Sequence, residues 1–248
     1  MVTRTRAAAT AVWEHRLMSS VTAAEFRRLA RSSPWLWRTL EFRWGGAQDE
    51  TRHAWIRRPG NLRVEDDRGG LVEAVAETRP FPGARADFGW GWEPKPGRWP
   101  SAVEPEFASD GLVEVVPDAF DIDYDSPFFR NYHWVAMLNP VEFARGEWDG
   151  GCAVELSEPS IVDHHGREAW QATARSTPGY EPTCECCALL AGRFDFDLQV
   201  WVPGPPSVIR LDRQTGLCVW IEGDEPAELD VEILAVDQPL GDDLFRRP

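Results

Sequence analysis

The sequence predicts a mainly β protein of the α+β kind: a large, curved antiparallel sheet with a few helices on its concave face. Three observations lead there. Apolar and charged residues alternate with period two near both ends of the chain. Breaks of hairpin length, rich in Gly and Pro, separate those runs. The helical patterns are few, short and marked by capping residues.

Taken in order, the first residues read as unstructured, and Glu14, His15 and Arg16 interrupt the early apolar run before it resembles a signal peptide. The first helix starts at Thr22, with Glu25 completing a capping box and Val21 and Phe26 placed as a hydrophobic staple. It is expected to run to about Arg31 and to end at Ser33-Pro34. Strands follow where Leu40, Phe42 and Trp44 alternate with Glu41 and Arg43, then around Ala54 and Ile56, then around Leu62 and Val64. Residues 78–108 hold six prolines and six aromatic residues without a usable period, and read as one long loop. Ser126-Pro127 starts a helix with an apolar face to Leu138, and Asn139-Pro140 starts a second, ending near Gly146. The longest alternation, Phe194, Phe196, Leu198, Val200 and Val202, reads as a single half-buried strand. Three more strands, Val208–Leu211, Leu217–Ile221 and Leu229–Val236, close the chain, with Gly216 free to take a positive φ in the turn between the first two.

At 248 residues and 43% hydrophobic content, the chain suffices for one large domain with a sizeable core. Its formal net charge of −15 opposes binding to nucleic acid, since phosphate contacts need clustered Lys and Arg. No run approaches the length of apolar sequence a membrane-spanning helix requires, and the cytoplasm is the expected location.

The order of these segments carries a resemblance. A capped helix leads into Trp37-Arg38-Thr39-Leu40-Glu41-Phe42-Arg43-Trp44. Ala54-Trp55-Ile56-Arg57-Arg58-Pro59 and Leu62-Arg63-Val64-Glu65 follow. Met137-Leu138-Asn139-Pro140-Val141-Glu142-Phe143, His165-Gly166-Arg167-Glu168-Ala169-Trp170, Leu211-Asp212-Arg213-Gln214-Thr215-Gly216-Leu217 and Asp230-Val231-Glu232-Ile233 complete the series. Outside residues 78–108 the chain resembles the half-barrel superfamily typified by LolA, LppX and MucB, in the wording of actinobacterial relatives. The resemblance implies a curved sheet around helices and an apolar cavity for lipid or acyl chains.

Three readings of function follow. The first is a protein that binds an apolar small molecule or lipid, with regulation as its role. Its cavity is expected between the sheet and residues 127–138, with Trp90, Trp92, Trp99, Phe194, Phe196 and Leu198 as ligand-binding residues. The second is a protein-interaction module using the acidic surface and the aromatic loop. The third rests on Cys184, Cys186 and Cys187, three of the chain's five cysteines within four positions. Thiolates at that density suit a soft metal, zinc being the one cofactor candidate, or a redox couple. His164, His165 and His133 are the candidates for a further ligand. The adjacency of Cys186 and Cys187 speaks against both facing one ion, and small buried residues in a loop are the structural alternative. Asp118, Asp121, Asp123 and Asp125 space like a calcium loop, but Ser126 and Tyr132 stand where Gly and Glu belong. Catalytic signatures are absent, so a non-enzyme is expected.

Overall fold

In a computed structural model of the chain, the described residues are 21–46, 49–79, 84–87, 91–94, 98–116, 127, 129–145, 147–148, 151–223 and 229–247. Helix α1 spans Ala23–Leu36. Thr22 Oγ1 accepts the Glu25 N–H at 3.2 Å, and the Glu25 carboxylate accepts the Thr22 N–H at 2.8 Å. This capping box is the one the sequence predicts. The helix runs past its expected end, because Pro34 falls in the last turn, where a missing N–H costs only one internal bond.

Ten strands form one antiparallel sheet: β1 (Thr39–Gly46), β2 (Asp49–Arg57), β3 (Asn61–Glu65), β4 (Leu71–Ala76), β5 (Val154–Leu156), β6 (Ser160–His164), β7 (Arg167–Ser176), β8 (Ser207–Asp212), β9 (Cys218–Glu222) and β10 (Leu229–Val236). Their order is β5-β7-β8-β9-β10-β1-β2-β3-β4, with β6 pairing the same edge of β7 as β5 does. The sheet is open, not closed into a barrel. Two hairpin series therefore meet at the pairing of β1 with β10, where Phe42 lies opposite Ile233 and Trp44 opposite Val231.

Register explains the two faces. Leu40 opposes Ile56, which opposes Leu62; Phe42 opposes Ala54, which opposes Val64. All six are buried on the helix side, and full burial of each large one contributes about 1.5–3 kcal/mol. The intervening positions carry the charged face, including the ion pair of Arg43 with Glu232 at 2.9 Å. Between β8 and β9, Asp212 Oδ1 accepts from Thr215 N–H at 2.8 Å and Thr215 Oγ1 at 2.7 Å, and Gly216 takes φ 71°. A Cβ on Gly216 would lie 2.8 Å from the Leu29 carbonyl oxygen, so the turn abuts α1 closely.

Four expectations change. Helix α2 spans Tyr132–Leu138 and is capped by Asn131, whose side chain accepts the His133 N–H at 3.1 Å; Ser126, the expected cap, lies outside the described residues. The second short helix is a 3-10 turn, Val141–Phe143. The long loop contains a ladder pairing Ala84–Asp87 with Gly91–Pro94. The long alternation after Gly192 is a hairpin: Gly192–Asp195 pairs with Val200–Pro203. Its turn forms because Asp195 Oδ1 accepts the N–H groups of Asp197 and Leu198 at 3.1 and 3.0 Å, and Gln199 adopts φ 54°.

Candidate metal centre

A short stretch of chain, residues 180–191, connects the end of the β7 region to that hairpin, and it carries the cysteines. At residues 184–187 it closes a tight turn, in which Cys187 N–H donates to the Cys184 carbonyl at 3.0 Å. The turn places Cys184 Sγ 3.2 Å from Cys186 Sγ, and Cys186 Sγ 3.5 Å from Cys187 Sγ. All three sulphurs lie within 4.8 Å of one another. Four sulphurs at the usual zinc–sulphur length of about 2.3 Å from a tetrahedral ion stand about 3.8 Å apart. The two neighbouring separations, 3.2 and 3.5 Å, fall a few tenths of an ångström short of that spacing, and the third lies within 4.8 Å. The turn brings the sulphurs of adjacent Cys186 and Cys187 to 3.5 Å of each other, in a loop between two strands.

The frame of this turn is a buried carboxylate. Glu142, on the 3-10 turn after α2, has no exposed surface. Its Oε2 accepts the Thr183 N–H at 2.9 Å, just before the first cysteine. Its Oε1 accepts the Leu189 N–H at 2.7 Å, two residues past the last one, and the Tyr180 hydroxyl as well. Tyr180 Oη accepts the Leu190 N–H in turn, at 3.4 Å. One carboxylate therefore ties down both ends of the cysteine turn. Burial pushes the Glu142 carboxyl up from its ordinary value, against the opposing pull of these donors. Sequence reading missed Glu142, which in Asn139-Pro140-Val141-Glu142-Phe143 looks like an ordinary polar position in a short helix. The signal available was a lone acid between apolar neighbours.

The thiols differ in environment. Cys186 is exposed and Cys184 and Cys187 are half-buried. Burial, then the hydrogen bond with Cys186, pushes Cys184 up to about 12, while hydrogen bonds from Cys184 and Cys187 pull Cys186 down. Two backbone donors face sulphur: Cys186 N–H at Cys184 and Tyr132 N–H at Cys187. These contacts oppose burial without outweighing it, so Cys184 and Cys187 are both raised overall. Cys218 is buried in β9 and its pKa is pushed far up by burial, so it is an inert core residue. Cys152 is exposed elsewhere, on a short ladder with Glu147.

The histidines do not join the cysteines. His164 and His165 gather with Asp230 instead. His165 Nε2 stands 2.8 Å from Asp230 Oδ1. His164 is buried with Nε2 3.1 Å from the Val231 carbonyl and Nδ1 3.2 Å from an Arg210 guanidinium nitrogen. A guanidinium only donates, so Nδ1 accepts and Nε2 carries the proton. Neither nitrogen of His164 is left to ligate, and this second cluster reads as a hydrogen-bonded network on the outer face of the sheet. His133 follows Tyr132 in α2, but its ring nitrogens are not among the atoms that gather around the thiols.

The aromatic candidates scatter. Trp90 lies outside the described residues, as does the acidic run from Asp118 to Asp125; Trp92 is on the described ladder without a described side chain. Trp99 precedes a 3-10 turn, Pro100–Ala102. Phe194 packs against the core, whereas Phe196 and Leu198 sit at the hairpin tip, 67% and 70% exposed. Both stand in solvent because the hairpin turns where a strand was expected to continue. The space between α2 and β1 holds packed rings: Trp134 lies 5.3 Å from Phe42, 5.7 Å from Trp44 and 5.2 Å from Phe129, centroid to centroid. A cleft of about 210 Å³ opens elsewhere, between Trp35, Trp37, Arg58 and Pro100, with the Arg58 guanidinium 3.5 Å over the Trp37 ring. Among the described residues no helix is long and apolar enough to cross a membrane. No protein-family model matches the chain, and a search of curated proteins finds no match either.

Proposed function

We propose that this protein binds one thiophilic metal ion, zinc foremost, through Cys184, Cys186 and Cys187. The observation that carries the reading is the convergence of three sulphurs within 4.8 Å on a turn whose two ends are held by one buried carboxylate. Pre-organisation of this kind reduces the ordering cost of binding. Three thiolates also suit a soft or borderline d10 ion better than a hard one. Zinc is almost always four-coordinate in structural sites, so the fourth position falls on the exposed side of the turn, to water or to a donor from a partner. The protein is then a metal-binding module, with the sheet as its scaffold.

The test is direct. Chelator-stripped protein titrated with cadmium under reducing conditions should develop thiolate-to-metal charge-transfer absorption that saturates at one equivalent, and zinc should displace it. The Cys184→Ser, Cys186→Ser, Cys187→Ser triple variant should show neither. Less than a tenth of an equivalent bound by the parent protein ends the reading.

An apolar-ligand role, implied by the half-barrel resemblance, rests on the cleft beside Trp35 and Trp37. Its volume of about 210 Å³ falls below the roughly 300–1,000 Å³ of small-molecule pockets. Saturable binding of fluorescent fatty-acid probes would put that reading first.

A further inference from the structure

We propose that Cys186 is an oxidation site for hydroperoxides and that the stable product is a disulfide between Cys184 and Cys186. The inference uses the same turn as the metal reading but does not depend on it, since it concerns the metal-free thiols.

Three geometric facts select the residues. Cys186 is the exposed thiol of the cluster, so an oxidant reaches it first. Its sulphur lies within hydrogen-bond distance of two others, so a partner thiol is in place before any oxidant arrives. The shorter of the two separations, 3.2 Å, is to Cys184. The other neighbour is chemically poor, because a disulfide between adjacent residues closes a small ring that strains the peptide between them. The carboxylate of Glu142 holds Thr183 and Leu189 in place, so the thiols stay together and compete well against a second molecule.

The chemistry balances in two steps. The Cys186 thiolate attacks one oxygen of the hydroperoxide; the O–O bond breaks, the other oxygen leaves and takes up a proton, and Cys186 becomes a sulfenic acid. The Cys184 sulphur then attacks Cys186 Sγ; the S–O bond breaks, hydroxide leaves, and it takes up the proton lost by the Cys184 thiol to form water. Two thiols lose two electrons, and the hydroperoxide is reduced to an alcohol (water, for hydrogen peroxide) plus one molecule of water from the second step. The product leaves Cys187 as the one remaining thiol of the turn. A bound ion would thereby lose two of three sulphur ligands.

The experiment treats chelator-stripped, pre-reduced protein with hydrogen peroxide and follows it by intact mass and peptide mapping. One equivalent should remove the mass of two hydrogens, leave a monomer, and map to a Cys184–Cys186 link. Cys187→Ser should form the same link. Cys184→Ser should instead accumulate a sulfenic acid at Cys186, trapped by dimedone. Circular dichroism of each variant checks that it is folded. A link from Cys187 to either neighbour, or an intermolecular link, overturns the proposal. Because no metal is present, a failure of the metal reading leaves these outcomes unchanged.

Discussion

The Leu189 N–H donates to Glu142 Oε1 at 2.7 Å, deep in the interior and 47 positions away in sequence. With the Thr183 N–H and the Tyr180 hydroxyl on the same carboxylate, it makes Glu142 the residue on which the cysteine turn depends. Glu142→Ala strands three donors, two of them fully buried, at about 1–3 kcal/mol each. The expected loss is about 3–5 kcal/mol by urea unfolding, partly offset by water entering the space. Glu142→Gln keeps an acceptor oxygen and should lose less. If Glu142→Ala unfolds with the parent's midpoint, the carboxylate is not the frame.

Metal should stabilise the fold. With free zinc at 100 times its dissociation constant, binding to the native state alone contributes about 2.7 kcal/mol. The midpoint of thermal unfolding should rise with zinc in the parent protein and stay fixed in the triple serine variant. An equal rise in both would place the ion elsewhere.

Arg167 meets Asp212 through two nitrogens, Nε to Oδ2 at 2.7 Å and Nη2 to Oδ1 at 3.1 Å. Asp212 is buried, and Arg167 is partly exposed. Breaking a buried pair from one side costs about 3–5 kcal/mol, and partial exposure should bring Arg167→Ala to about 2–3. Arg167→Lys should recover only part of this, since an ammonium cannot reproduce the two-pronged contact. Denaturant midpoints of the two variants decide it.

His164 makes stability fall on mild acidification. Its pKa is lowered, first by burial, from the ordinary 6.5, so the unfolded chain takes up a proton there before the native state does. Its contribution is complete above about 6.5 and is lost as pH falls through the lower native value. His164→Gln should flatten that part of the profile of unfolding free energy between pH 7 and 5. An unchanged slope would assign the proton to another group.

The hairpin tip supplies a contrast within one sequence pattern. Leu198→Ser should change stability by less than about 0.5 kcal/mol and Phe196→Ser by about 1 kcal/mol or less, because both side chains are mostly exposed and Phe196 keeps one edge contact, with Phe194 at 5.1 Å. Phe42→Ala, on the buried face of β1, should cost about 3–5 kcal/mol. A large loss at Phe196 would restore the single-strand reading.

Much of the sheet was legible because large aliphatic and aromatic residues mark its buried face, as Leu40, Phe42, Ile56 and Leu62 do. Strand β7 was not, because Ala169, Ala172 and Ala174 take three of its five buried positions, beside Trp170 and Ser176, and alanine carries little period-two contrast. The run from Phe194 to Val202 misled for the opposite reason. Its alternation is clean, but a local side-chain bond from Asp195 outcompetes extension. In the site, the cysteine cluster was visible as spacing alone. Its anchor was not, since no local pattern reports that a glutamate 41 residues upstream meets the Thr183 backbone.

The pairing of β1 with β10 has a consequence for how the molecule is made. During vectorial synthesis the β1–β4 meander emerges first, with the β1 edge left open, its N–H and C=O groups unpaired. That edge waits for a partner roughly 190 residues later, which at about 5–20 residues per second is on the order of ten seconds or more of exposure. Until β10 arrives, the nascent chain is open to strand addition by a neighbour on the same message. Charges beside that edge, Glu41 and Arg43 among them, then act as guards during translation before they become ordinary surface residues.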